Sequence, residues 1–173
     1  MNLLFKKVKK ELTNLWTGEL AAVVSFWGCF FVMKVWLPSM QMIISIAYPL
    51  FILSLILVQG SLYWWILLKR LSIPQFAMKN TGKIFAILKI VDIILLCTGL
   101  PVIIINYSNT TVMIISIFLL GFAVAEWINY FKIRLAYNYN PFTLLYRIKD
   151  RKLKKSKLAK EIKMTPKKRG SHS

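Results

Sequence analysis

Residues Met42–Arg70 read MIISIAYPLFILSLILVQGSLYWWILLKR. No charge interrupts the run from Met42 to Leu68, and two cations close it. A helix needs about 20 apolar residues to cross the hydrocarbon of a bilayer. This run is longer, so it predicts a membrane span over 42–68 that tilts, or bends at Pro49. Tyr63, Trp64 and Trp65 stand just before Lys69 and Arg70, as an aromatic belt stands at a membrane–water interface.

Working outward, three more apolar runs predict spans over about 20–37, 84–105 and 112–131. The cations between them fall on alternate breaks. Lys6, Lys7, Lys9 and Lys10 precede the first span, and Lys69, Arg70, Lys79 and Lys83 lie between the second and third. The tail after the fourth is crowded with Lys and Arg. Pro38–Gln41 and Asn106–Thr111 hold no charge at all. Cytoplasmic loops carry the excess of Lys and Arg. The expected fold is therefore all-α and integral to the membrane, with four transmembrane helices in two hairpins and both termini cytoplasmic. A β-barrel is excluded because the runs do not alternate. The expected location is the bacterial cytoplasmic membrane, crossed several times.

Three regions follow. Residues 1–17 form an amphipathic helix in which Leu4, Phe5, Val8, Leu12, Leu15 and Trp16 share an arc of about 120°. The lysines lie outside that arc, which fits a helix lying in the headgroup region. The alternative is a cytosolic helix packed on the protein's own loops. Residues 18–131 form the four-span domain, and 132–173 a basic cytoplasmic tail, largely solvated. The first apolar run is too long for a cleaved signal and reads as a retained span. Lys34, near the far end of that span, can reach the interface along its own stem.

The chain has 173 residues, 57% of them hydrophobic, and a formal net charge of +18. Such charge beside apolar runs calls for the anionic lipid of the cytoplasmic leaflet. Lys6, Lys7, Lys9, Lys10, Lys69 and Arg70 are the candidate headgroup contacts. Nucleic acid is the weaker reading, since no recognition motif accompanies the charge. Cys29 and Cys97 each lack a second Cys or a His at ligand spacing, and the only histidine is His172. No metal site and no cofactor are expected. No phosphate-cradling loop or nucleophile elbow occurs, so an enzyme is not expected. Asn106-Tyr107-Ser108 and Asn109-Thr110-Thr111 match glycan acceptors, but the turn lies too close to the lipid for that use.

Charged residues inside spans mark functional sites in membrane proteins. Here they are Lys89 and Asp92 in the third span and Glu126 in the fourth. At about 1.5 Å per residue, Lys89 and Glu126 lie roughly 8 Å deep and Asp92 roughly 12 Å. The three thus share a layer, and Lys89 and Asp92, three apart, are placed to pair. Below Glu126, Asn129, Tyr130, Arg134 and Tyr137 continue one polar-aromatic stripe. Two readings stand. The cluster is a polar clamp between the third and fourth helices, or it lines a recess that binds a proton, a cation or a partner's basic segment.

The stretch Ala125–Tyr137, AEWINYFKIRLAY, resembles a segment of small four-span integral membrane proteins of low-GC Gram-positive bacteria. Their pattern runs Glu-aromatic-aliphatic-Asn-Tyr-aromatic, then Arg or Gln, Leu and Tyr. The resemblance implies that Glu126, Asn129, Tyr130, Arg134 and Tyr137 act as a unit, and it implies no activity. The chain is also similar to small multidrug-resistance transporters in its four spans and short loops. Their key carboxylate lies well inside the first helix, whereas Glu19 here stands at the expected membrane edge.

The function expected is a non-catalytic, membrane-embedded partner subunit. It would dock against another membrane protein, or protect against a membrane-acting toxin as immunity proteins do. The alternative is a small oligomeric transporter or channel that uses Lys89, Asp92 and Glu126. The partners expected are the bilayer and either another membrane protein or further copies of this chain.

Overall fold

The structure is a computed structural model that describes residues 2–132 together with Leu158 and Ile162. Four helices account for the regular structure of residues 2–132: α1 (Asn2–Lys34), α2 (Met40–Arg70), α3 (Met78–Ile105) and α4 (Thr110–Phe131). Each is long and apolar enough to cross a membrane. The described chain is all-helical and carries the helices of a membrane protein. At about 1.5 Å per residue, α4 is about 33 Å long, close to the thickness of the hydrocarbon, and α2 is about 46 Å.

Local chemistry sets the helix ends. Ser39 caps α2 by accepting from Met42 N at 3.3 Å, and Asn109 caps α4 by accepting from Thr111 N at 2.9 Å. Asn106 Nδ2 donates back to the Val102 carbonyl at 2.9 Å. Both asparagines of the sequence motifs thus bind their own turns, which shields backbone groups that a helix end leaves unpaired.

α3 starts at Met78, earlier than the expected 84. Pro74, Asn80 and Gly82 read as breakers in sequence, but Arg70 organises this connection. Its Nε donates to the Phe76 carbonyl at 3.0 Å and its Nη2 to Thr81 Oγ1 at 2.9 Å. Ala77, just before the helix, adopts φ 52°, in the left-handed region.

α1 likewise runs on without the expected boundary at residue 17. Thr13 and Thr17 return their hydroxyls to the carbonyls of Lys9 and Thr13, and the helix passes through Gly18 into the first span. The amphipathic arc divides along its length. Leu12 is buried, and Leu15 and Trp16 pack against the core, whereas Phe5 and Val8 stay exposed.

The core is built around α2. It touches each of the other three helices, most extensively α1 and α4, and α3 packs on α2 and α4 more lightly. Ile46, Leu50, Ile52, Leu53 and Ile56 of α2 are almost wholly enclosed, with Ile103 of α3 beside them. Pro49 stays inside α2, its ring buried. The outer surface is apolar: Val24 is 72% exposed, Val35 84% and Trp36 81%. Water would penalise such a surface, whereas lipid accepts it. Leu158 is buried with the core and Ile162 packs against it, so these two residues of the tail are held by the bundle.

Candidate functional site

Polar side chains form a ladder along α2, some buried inside the bundle and some at its surface. Starting beside the uncharged turns, Gln41 Oε1 accepts from Ser108 Oγ at 3.3 Å. The Ser45 and Ser116 hydroxyls meet at 3.1 Å, and those of Tyr48 and Thr98 at 2.6 Å. Ser54 Oγ accepts from Trp27 Nε1 at 2.9 Å. Gln59 Nε2 donates to Asp92 Oδ1 at 2.9 Å. Ser61 Oγ donates to the Trp16 carbonyl at 3.0 Å, and Trp64 Nε1 to Glu19 Oε1 at 2.7 Å. α2 therefore holds polar contacts with α1, α3 and α4 in turn. In hydrocarbon a polar group has no water to fall back on, so each one seeks a partner on a neighbouring helix.

The rung nearest Lys69 and Arg70 is the richest. The Glu19 carboxyl takes the Trp64 indole and has the Tyr130 hydroxyl as a second hydrogen-bonding neighbour. Glu126 lies close enough to act electrostatically on both Glu19 and Tyr130, and it accepts from Asn129 Nδ2 at 3.3 Å. Gly60 makes this geometry possible. A Cβ there would fall 2.3 Å from Tyr130 Cζ, so the missing side chain is the seat of the Tyr130 ring. Glu19 Oε2 is buried with no hydrogen-bond partner among the described residues.

The structure redistributes the residues singled out in the sequence. Asp92 is fully buried, but its carboxyl turns to Gln59 of α2 and no ion pair joins it to Lys89. Lys89 is half-buried one turn away. Glu126 takes part in a different rung, with Glu19, Tyr130 and Asn129. The expected layer of Lys89, Asp92 and Glu126 thus resolves into separate sites. Depth along an axis says nothing about which way a helix face turns.

Asn129 is half-buried and Tyr130 buried, whereas Arg134 and Tyr137 lie outside the described residues. Lys6, Lys7, Lys9 and Lys10 are exposed. Lys69 is exposed too, with its ammonium 5.6 Å from the centre of the Trp65 ring. Arg70 was expected among the headgroup contacts; its guanidinium is engaged by the α2–α3 connection. Cys29 and Cys97 are free and exposed, and no group of three metal-binding side chains occurs among the described residues.

Nothing in the sequence alone joins Glu19, Gln59, Gly60 and Trp64 as a set. The available signal was a Gln-Gly-Ser triplet, residues 59–61, inside an otherwise apolar run. No protein-family model, curated protein or solved structure matches this chain.

Chemically, the ladder locks helix to helix. Its members are donors and acceptors already matched across the bundle, and the exceptions are few. Glu19 Oε2, Gln59 Oε1, Asp92 Oδ2 and Trp127 Nε1 are the buried side-chain atoms without a partner among the described residues.

Proposed function

We propose that this protein is a non-catalytic, membrane-embedded partner subunit that acts through its helix surfaces on another membrane protein, in an accessory or protective role. The observation that carries the reading is the position of α1. α2 uses its polar side chains inward, while α1 leans on the bundle along one flank and leaves the rest of its length uncovered. Gly18, Ala21, Ser25 and Gly28 lie along that uncovered side. A Cβ at Gly18 or Gly28 would meet nothing within 4 Å, and the same holds for Gly121 of α4. Small residues let a second helix approach closely in lipid.

The reading takes the four helices as two hairpins with both ends in the cytoplasm. Contact order supports this. Residue numbers fall on α1 as they rise on α2, from Trp27 with Ser54 to Glu19 with Trp64. On α3 they also fall, from Thr98 with Tyr48 to Asp92 with Gln59. The cations then gather at one end, which places that end beside the anionic leaflet.

The test is purification of the full chain from its native membrane in mild detergent. A second membrane protein should come with it at fixed ratio, and Gly18→Leu with Gly28→Leu should release that protein while the bundle stays folded. A clean homo-oligomer, or no loss on substitution, counts against the reading.

A transporter is the second reading, favoured by Glu19 and Glu126 acting on one another beside a buried oxygen that has no partner among the described residues. Flux of protons or cations in liposomes that disappears with Glu126→Gln would support it. Wild-type liposomes without flux would retire it.

A further inference from the structure

Gln59 and Asp92 meet between α2 and α3, well away from the ends of both helices. Asp92 is 0% exposed and Gln59 5%. One half of their contact is made, from Gln59 Nε2 to Asp92 Oδ1. The other half is open. Asp92 Oδ2 and Gln59 Oε1 are both buried, and neither has a hydrogen-bond partner among the described residues.

Both unsatisfied atoms are acceptors, and they belong to the two groups already joined. The site therefore lacks a hydrogen rather than a side chain. An ionised carboxylate has only acceptors to offer, whereas a carboxamide offers an acceptor and donors. A carboxylic acid is the match for a carboxamide, with one O–H and one C=O side by side. Among the described residues no counter-charge argues for the ionised form. Of the side chains around Asp92, Gln59 is the one that bonds it. Lys89 on the same helix stays half-buried without pairing to it. The other carboxyls of the spans, Glu19 of α1 and Glu126 of α4, belong with Trp64, Tyr130 and Asn129. Thr98 of α3 is turned to Tyr48.

We propose that Asp92 binds a proton, and that its protonated carboxyl closes a ring of two hydrogen bonds with the Gln59 carboxamide. Oδ2–H donates to Gln59 Oε1 while Gln59 Nε2 continues to donate to Oδ1. The proton comes from water, and no other bond forms or breaks. Its loss removes one of the two bonds and sets two acceptors against each other. α3 is the lightly packed helix of the bundle, so this ring is a principal tie of α3 to α2. The inference is independent of the partner-subunit reading.

Aspartate occurs at only two positions, Asp92 and Asp150. The full chain with Asp150→Asn, labelled with 13C-aspartate in phosphatidylcholine vesicles, isolates Asp92 for infrared spectroscopy. The expected spectrum at neutral pH has the isotope-shifted C=O stretch of a protonated carboxyl, and Gln59→Leu should move that band. A carboxylate stretch in its place, or a band that Gln59→Leu leaves where it was, overturns the proposal. Thermal unfolding in detergent gives an independent reading. Asp92→Asn keeps a donor toward Gln59 and should melt close to the wild type, with Asp92→Ala clearly lower. Equal losses for the two would mean that the donor contributes nothing, and the ring would fall.

Discussion

Five of the six glycines within the helices divide into two kinds. Gly60 and Gly99 are filled by a neighbour: a Cβ would fall 2.3 Å from Tyr130 Cζ at Gly60 and 2.6 Å from Leu120 Cδ1 at Gly99. Gly18, Gly28 and Gly121 face open space. Overpacking a tight contact typically costs about 1–3 kcal/mol. Gly60→Ala should therefore destabilise the bundle by about that much, because a rigid aromatic ring must move. Gly99→Ala should cost less, because the tip of a leucine can turn aside. Gly121→Ala should stay within about 0.5 kcal/mol of wild type. Thermal melts of the three variants in one detergent check the order. A similar comparison concerns Ala77, a non-glycine at φ 52°. The left-handed region costs an L-residue about 1–2 kcal/mol. Ala77→Gly should raise stability by about 1 kcal/mol, measured the same way. None of these environments is visible in sequence, where the glycines look alike.

Between helices, the decisive interactions are single hydrogen bonds. Hydrogen bonds of this type in membranes are worth about 0.6 to 2 kcal/mol each. Ser45 and Ser116 form one such bond in full burial. A double-mutant cycle of Ser45→Ala and Ser116→Ala should show a coupling of about 0.6 kcal/mol or more. Coupling near zero would mean that the two hydroxyls are satisfied by their own helices. Ser116 also donates to the Val112 carbonyl, so that outcome has a physical route. The α2–α3 connection depends on Arg70 in the same way. Arg70→Gln removes the fork that joins Phe76 to Thr81. Limited proteolysis should then cut faster between Leu71 and Ala77, with the spans themselves unchanged.

For the bundle as a unit, the partition of charge makes the sharpest prediction. Tyr107 is 54% exposed in the turn before α4. With Cys29 and Cys97 replaced by serine, Tyr107→Cys should react with a membrane-impermeant thiol reagent added outside intact cells. Reaction only after permeabilisation would invert the orientation. The same background removes both native thiols, which are exposed on the helix surfaces.

The four long apolar helices were legible because apolar character depends on composition along one dimension. Solvent preference is a local property: twenty apolar residues need lipid wherever they pack. Rotation of a helix about its axis is not local. α3 is apolar on nearly every side, so no periodicity marked the face that carries Asp92 inward. Counting depth along α3 and α4 therefore joined Asp92 to Lys89 and Glu126, whereas packing joined it to Gln59 of α2. Glu19 looked like an edge residue because its partners, Trp64 and Tyr130, stand far away in the chain. Hydropathy decided that this chain has four helices long and apolar enough to cross a membrane. Which buried polar atoms meet there was settled by the close fit of three helices around α2, since a hydrogen bond forms only when both side chains are brought within about 3 Å of each other.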